Sequence, residues 1–229
     1  MDNLREIITQ AANYGISEEV LKAAVINKGN NVRLKEFFKK ADAGGSLTVG
    51  FFGGSVTAGS NSSEGKCYAN NVTEWLNNQF SKAEINKLNA GKGATGSLVG
   101  VYRMDEELLS KKPDLIFIDF SVNDALEQER DGVISKEPYE GVVRKAVASG
   151  AAVVLFCICN ENKKTLKDLH CEIGKHYGLP VISMVDSIYP LIESGRMKWT
   201  DYSTAWVMAA ETGGADADSC TVTDFAYTE

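Results

Sequence analysis

Histidine is the scarcest chemically useful residue in this 229-residue chain, which carries only His170 and His176. Proline is nearly as rare, at four, and the 21 glycines follow no period, which excludes collagen-like and low-complexity architectures. No apolar run approaches the ~18 residues that a membrane-spanning helix needs, so no membrane partner is expected. Basic residues are in deficit, 24 Lys and Arg against 31 Asp and Glu, a net charge of −7. With a pI near 5.0 the chain has no basic footprint to displace counterions from a phosphate backbone, and nucleic acid is excluded as a partner. The five cysteines are odd in number and sparse. They form neither a disulfide framework nor a paired C-x-x-C metal pattern and read as buried thiols. The opening MDNLREIITQ lacks the apolar stretch and small-residue cleavage site of a signal peptide, so a cytoplasmic location is expected.

What remains is an ordinary globular composition, 44% apolar and 24% charged, long enough for one sizeable core. Apolar residues at Leu4, Ile7, Ile8 and Ala11 share a helical face, and Ser17 before Glu18 and Glu19 reads as the cap of a second helix. From Leu47 onward, five short β-rich runs (LTVGFF, AEINKLN, DLIFIDF, AAVVLFCI and PVISM) alternate with segments of helical spacing. Strands as continuously apolar as LIFIDF are buried on both faces. The expected fold is therefore a three-layer α/β/α domain around a parallel sheet of about five strands. Residues 1–229 read as a single domain, with N-terminal helices over 1–45 and an atypical tail over 207–229. That tail carries five acids, no Lys or Arg, and no clear apolar stripe.

In an open parallel sheet, ligands sit beyond the carboxyl ends of the strands, which directs attention to three loops. In FFGGSVTAGSNS, Gly53 and Gly54 allow a sharp turn that leaves the Ser55 hydroxyl exposed at the start of the next element, as a nucleophile or as a helix cap. A phosphate cradle is disfavoured, because Ser60 and Asn61 stand where the Walker spacing from Gly54 requires Lys and Ser/Thr. The stretch NAGKGATGS, 89–97, offers backbone N–H groups between small residues. In FSVNDA, Asn123 either donates to a developing oxyanion or belongs to a turn or helix cap.

Taken together and in this order, GGSVTAG, NAGKGATGSLVGVYR and KKPDLIFIDFSVND resemble the SGNH hydrolases, the GDSL-type lipases and esterases. The resemblance extends over about residues 32–204 and includes RLKEFF, HYGLPVIS and KWTDYS. It implies a flavodoxin-like sheet and ester hydrolysis through an acyl-Ser55 intermediate, without metal or organic cofactor. It implies an oxyanion hole made of the Ser55 N–H, the Asn123 side chain and a main-chain N–H at Gly93 or Ala94. The bacterial branch with these blocks implies short acyl, above all acetyl, esters linked to carbohydrate.

The fourth block departs from the family. Where D-x-x-H-P is expected, Ala205 and Met208 occupy the Asp and His positions, although the Thr212–Gly213 pair keeps the spacing. His176 matches a family feature of a helix-to-strand connection, and both histidines are assigned structural roles. Asp201 is near in sequence, but a carboxylate alone is a poor base for a serine hydroxyl. Cys157 and Cys159, alternating on one strand, are assigned to the core rather than to a metal. Trp75 is assigned to packing, and Trp199 and Trp206 to substrate contact. Three readings follow: an esterase whose base comes from elsewhere, an inactive SGNH-fold protein that binds acylated sugars, or a chain with an altered C-terminal sequence. No self-complementary patch indicates an oligomeric state.

Overall fold

The computed structural model describes residues 16–201 apart from 61, 63–65 and 134–135. The expectations for the first helix, Ala205, Trp206, Met208 and the acidic tail lie outside the described residues.

The five anticipated runs are strands, and they pair in parallel. They are β2 (Gly45–Gly53), β3 (Ala83–Gly91), β4 (Leu115–Asp119), β5 (Ala152–Cys157) and β6 (Val181–Ser183). A sixth strand, β1 (Val25–Asn27), pairs antiparallel with β6 and closes that edge, giving the order β1-β6-β5-β4-β2-β3. This corrects the reading of the N-terminal region as helices only. Three residues are too few to show a period. The strand is held instead by its pairing and by Gly29, whose left-handed φ of 60° turns the chain against the Leu179–Pro180 backbone, where a Cβ would collide.

One face of the sheet packs on α2 (Val32–Ala43) and α4 (Tyr68–Gln79), through Phe37, Ala41, Phe51, Leu76 and Val154. The other packs on α5 (Ser97–Glu107), α7 (Lys136–Ala148) and α8 (Lys167–His176), through Phe52, Met104, Ile118, Val143 and Ile173. The alternation of Phe51 and Phe52 between these two cores is the period of two expected of a strand buried on both faces. Each of these phenylalanines, fully buried, contributes about 1.5–3 kcal/mol. The remaining α-helices among the described residues are α1 (Glu18–Ala23), the single turn α3 (Ser55–Ala58), α6 (Ser121–Asp131) and α9 (Tyr189–Glu193). In α4 the buried stripe is Ala69, Thr73 and Leu76, so Trp75 falls beside it and is 40% exposed. This corrects its assignment to packing.

Candidate active site

Register brings the three loops together. Gly53 at the end of β2 is level with Gly91 of β3 on one side and with Asp119 of β4 on the other. Ser55 therefore follows its strand end by two residues, Gly93 by two and Asn123 by four, all at the carboxyl edge. The tight turn after β2 requires glycine for space. A Cβ at Gly53 would strike Thr57 Oγ1 and the Asp119 carbonyl, and one at Gly54 would strike Asn123 Oδ1. The Asn123 amide thus lies against the α-carbon that precedes Ser55. On the other side, a Cβ built on Gly93 would sit 3.9 Å from Ser55 Cβ.

Ser55 opens the one-turn helix α3, which Gly59 ends in a left-handed conformation with φ 81°. Its burial differs from expectation. The residue is only 5% exposed, and its neighbour Val56 packs in a small apolar cluster with Val122 and Ile158. Among the described residues no imidazole or carboxylate is hydrogen-bonded to the Ser55 hydroxyl.

Asn123 lies in the first turn of α6 rather than in a loop. The same helix grips the second loop. Asp124 Oδ1 accepts the Ser97 N–H at 2.6 Å and Glu127 Oε1 accepts the Gly96 N–H at 2.7 Å, so two acidic side chains meet the start of α5. Carboxylates there satisfy orphan N–H groups and complement the helix dipole. Burial, the largest influence on Glu127, raises its pKa from the ordinary value, against the lowering effect of the Gly96 N–H. Within the loop, Thr95 Oγ1 donates to the Lys92 carbonyl at 2.8 Å, and Ala94 has a φ of 55°, a left-handed conformation that favours glycine. Gly93 and Ala94 are both exposed.

Arg103 of α5 ties the roots of two loops. Its Nη2 donates to the Gly53 carbonyl at 2.9 Å and its Nη1 to the Ala90 carbonyl at 2.6 Å, while the guanidinium carbon lies 4.3 Å from the Phe52 ring centroid. Glu107, one helical turn on, accepts from Nη1 at 2.7 Å. A planar fork suits two carbonyls and an aromatic face at once. The sequence carries one signal for Arg103, a cation among the apolar residues of VYRM.

His170 is fully buried, with Nε2 3.0 Å from Asp124 Oδ2 and its ring stacked on Tyr139 at 3.5 Å between centroids. His176 is exposed at the end of α8, edge-on to Tyr177. Trp199 starts the short turn Trp199–Asp201 and is half-buried against the cluster around Ile16 and Ile188. The four described cysteines are all buried. Cys159, however, lies beyond the end of β5, so the expected alternation with Cys157 on one strand is corrected. The Cys157 carbonyl accepts the Met184 N–H at 2.9 Å, the last bond between this strand and the β6 segment. Cys157 instead meets the Cys171 thiol, and this contact, before burial, pushes its own pKa up.

The model of the GDSL-like Lipase/Acylhydrolase family matches residues 51–207. A solved two-domain esterase active on acetylated mannans is 38% identical, with a TM-score of 0.74, over 80% of this chain and 49% of that one. The same esterase has been co-crystallised with mannopentaose. The chain thus spans about half the length of this relative. An acetyl xylan esterase, 20% identical over 66% of this chain and 83% of its own with a TM-score of 0.54, shares the fold. Among curated proteins, none matches this chain.

Proposed function

We propose, from the premise that this chain belongs to the GDSL-like lipase and acylhydrolase family, that its site is built for acetyl esters carried on a polysaccharide. The observation that carries this reading is the convergence on Ser55 of the Asn123 amide, packed against Gly54, and of Gly93. In the proposed reaction the Ser55 hydroxyl attacks the ester carbonyl. The negative charge that develops on the carbonyl oxygen is met by the Ser55 N–H, the Asn123 side-chain amide and a main-chain N–H from Gly93 or Ala94. Such donors are individually worth about 2.7–4 kcal/mol. The sugar hydroxyl leaves, and water releases acetate from the acyl-enzyme. The relative active on acetylated mannans supports the substrate class. Trp199 and Trp206 are the proposed sugar contacts.

Removal of the Ser55 proton is the weak step. His170 is committed to Asp124, and Ala205 and Met208 carry no base. Loss of the histidine of a serine triad costs up to about 10⁶ in turnover, with about 10³–10⁴ over water remaining from binding and the oxyanion hole. The chain as written is therefore proposed to be a slow esterase. Ala205 and Met208 favour a second reading, in which the fold retains acylated sugars without cleaving them; they equally motivate the reading of an altered C-terminal sequence. Release of acetate from p-nitrophenyl acetate and from acetylated mannan tests all three. Ester cleavage abolished in Ser55→Ala and raised in the double variant Ala205→Asp, Met208→His supports the catalytic reading. Cleavage unchanged in Ser55→Ala overturns it.

A further inference from the structure

The proton bookkeeping around Ser121, which opens the helix turn that carries Asn123, is incomplete as long as Asp119 is ionised. The Ser121 hydroxyl has one hydrogen and two lone pairs. The Ile158 N–H donates to it at 2.8 Å. Two acceptors then compete for its single hydrogen: the Ile158 carbonyl at 2.9 Å and Asp119 Oδ1 at 3.2 Å. Ser121 is fully buried and Asp119 is 3% exposed, so water offers little relief to whichever acceptor loses.

A proton on the Asp119 carboxyl resolves the competition. The carboxyl O–H donates to Ser121 Oγ, Ser121 donates to the Ile158 carbonyl, and the Ile158 N–H completes the hydroxyl's set, so that every group is paired. With the carboxylate ionised, the hydroxyl hydrogen turns to Asp119 and the Ile158 carbonyl loses its Ser121 donor. Ile158 belongs to the apolar cluster with Val56 and Val122, the residues that follow Ser55 and precede Asn123. A loosened Ile158 therefore acts on the packing between the nucleophile turn and the amide donor.

We propose that Asp119 is a positioning residue for the Asn123 donor, acting as a neutral acid through the Ser121 hydroxyl and Ile158. This rests on the reading of Asn123 as an oxyanion donor. The electrostatic surroundings agree with the geometry. Burial raises the Asp119 pKa to about 7, aided by the charge of Asp124 and opposed by the hydrogen bonds from the Ser121 hydroxyl and N–H. The other ionisable groups that feel this carboxyl are Tyr68 of α4, Tyr139 of α7 and Cys157 of β5. Burial dominates at both tyrosines and holds their phenols well above the usual range, and the Cys157 thiol is likewise raised, so all three are neutral when Asp119 titrates. No cation is placed to hold Asp119 ionised among the groups that shift it.

The test is a pH titration of the whole chain by NMR, with aspartate carboxyl carbons labelled and the Ile158 amide and Asn123 side-chain signals followed. The expected result is a common midpoint near pH 7 for all three, with Asp119→Asn removing the transition and leaving the Ile158 and Asn123 signals at their low-pH positions. Asparagine can still donate to Ser121, so this variant mimics the neutral acid. Should it not fold, the parent titration decides alone. Ile158 and Asn123 signals that stay fixed while Asp119 titrates, or an Asp119 midpoint near the ordinary carboxylate value, overturn the proposal. Ester turnover unchanged in Ser55→Ala would instead overturn the reading of the site, and with it the purpose assigned to Asp119.

Discussion

His170 Nε2 meets Asp124 Oδ2 at 3.0 Å, and both side chains are wholly buried. The other ring nitrogen, Nδ1, has no hydrogen-bond partner among the described residues. A charged imidazolium would leave an unpaired N–H in the core. The neutral ring with its hydrogen on Nε2 leaves only a lone pair, so His170 donates to Asp124 and holds the carboxylate that in turn accepts the Ser97 N–H. Removing Asp124 strands two donors at once. Asp124→Ala is expected to cost about 3 kcal/mol in urea unfolding, and a loss under 1 kcal/mol would show the pair to be incidental.

Gly54, the residue before the nucleophile, lies against the Asn123 amide. Because a Cβ at this position would collide with Asn123 Oδ1, Gly54→Ala is expected to push the amide away from Ser55 while the fold stays intact. Measured on p-nitrophenyl acetate in the Ala205→Asp, Met208→His background, the change should cost about 10²–10³ in turnover, the loss seen on removing one oxyanion donor. A rate within threefold of the background, with an unaltered circular dichroism spectrum, would contradict this geometry.

Arg103 makes a conservative replacement informative. A lysine has one ammonium in place of a fork and cannot bridge the Gly53 and Ala90 carbonyls while lying flat on Phe52. Arg103→Lys is therefore expected to lower stability by at least about 1.5 kcal/mol, with the amides of Gly54 and Gly91 exchanging faster with deuterium than in the parent. Equal stability would mean that the two strand ends hold themselves.

The layered fold was legible because β2, β4 and β5 bury both faces, and runs such as LIFIDF have no other stable place in a chain of this composition. Ser55 and Asn123 were legible because each follows such a strand directly. The helix carrying Asn123 was not: SVNDALEQERD has two large apolar residues, and its stability comes from packing of its first turn, where Ser121, Val122 and Asp124 are buried. Nor was strand β1, which exists through its partner. The packing of Val56, next to Ser55, against Ile158 joins residues about a hundred positions apart, and no local pattern reports that contact.

The Asp119 carboxyl fixes a sign for the pH dependence of stability. Its folded-state pKa of about 7 lies above the ordinary value of 3.8, so the folded chain binds the extra proton between these limits. This contribution to stability is full at low pH, declines as pH rises from about 4 to about 7, and is flat above that. Asp119→Asn should erase the decline. The thermal midpoint of the variant relative to the parent is expected to rise between pH 5 and pH 8, and a difference that is constant or falls would refute the assignment.

Ala94 supplies the last test, because it pays a backbone cost that glycine would avoid. With φ at 55°, an alanine sits where its Cβ crowds the following carbonyl, at about 1 kcal/mol or somewhat more. Glycine carries no such penalty but loses more freedom on folding, roughly 0.5–1 kcal/mol. The two effects nearly cancel in size, so the net gain in Ala94→Gly is expected to be small and positive, about 0.5 kcal/mol by urea unfolding. The main-chain N–H survives the change, and ester turnover in the Ala205→Asp, Met208→His background should stay within twofold. A turnover loss of tenfold or more, without loss of stability, would mean that the alanine methyl itself touches the substrate and that the exposed stretch over 92–94 contributes more than backbone donors.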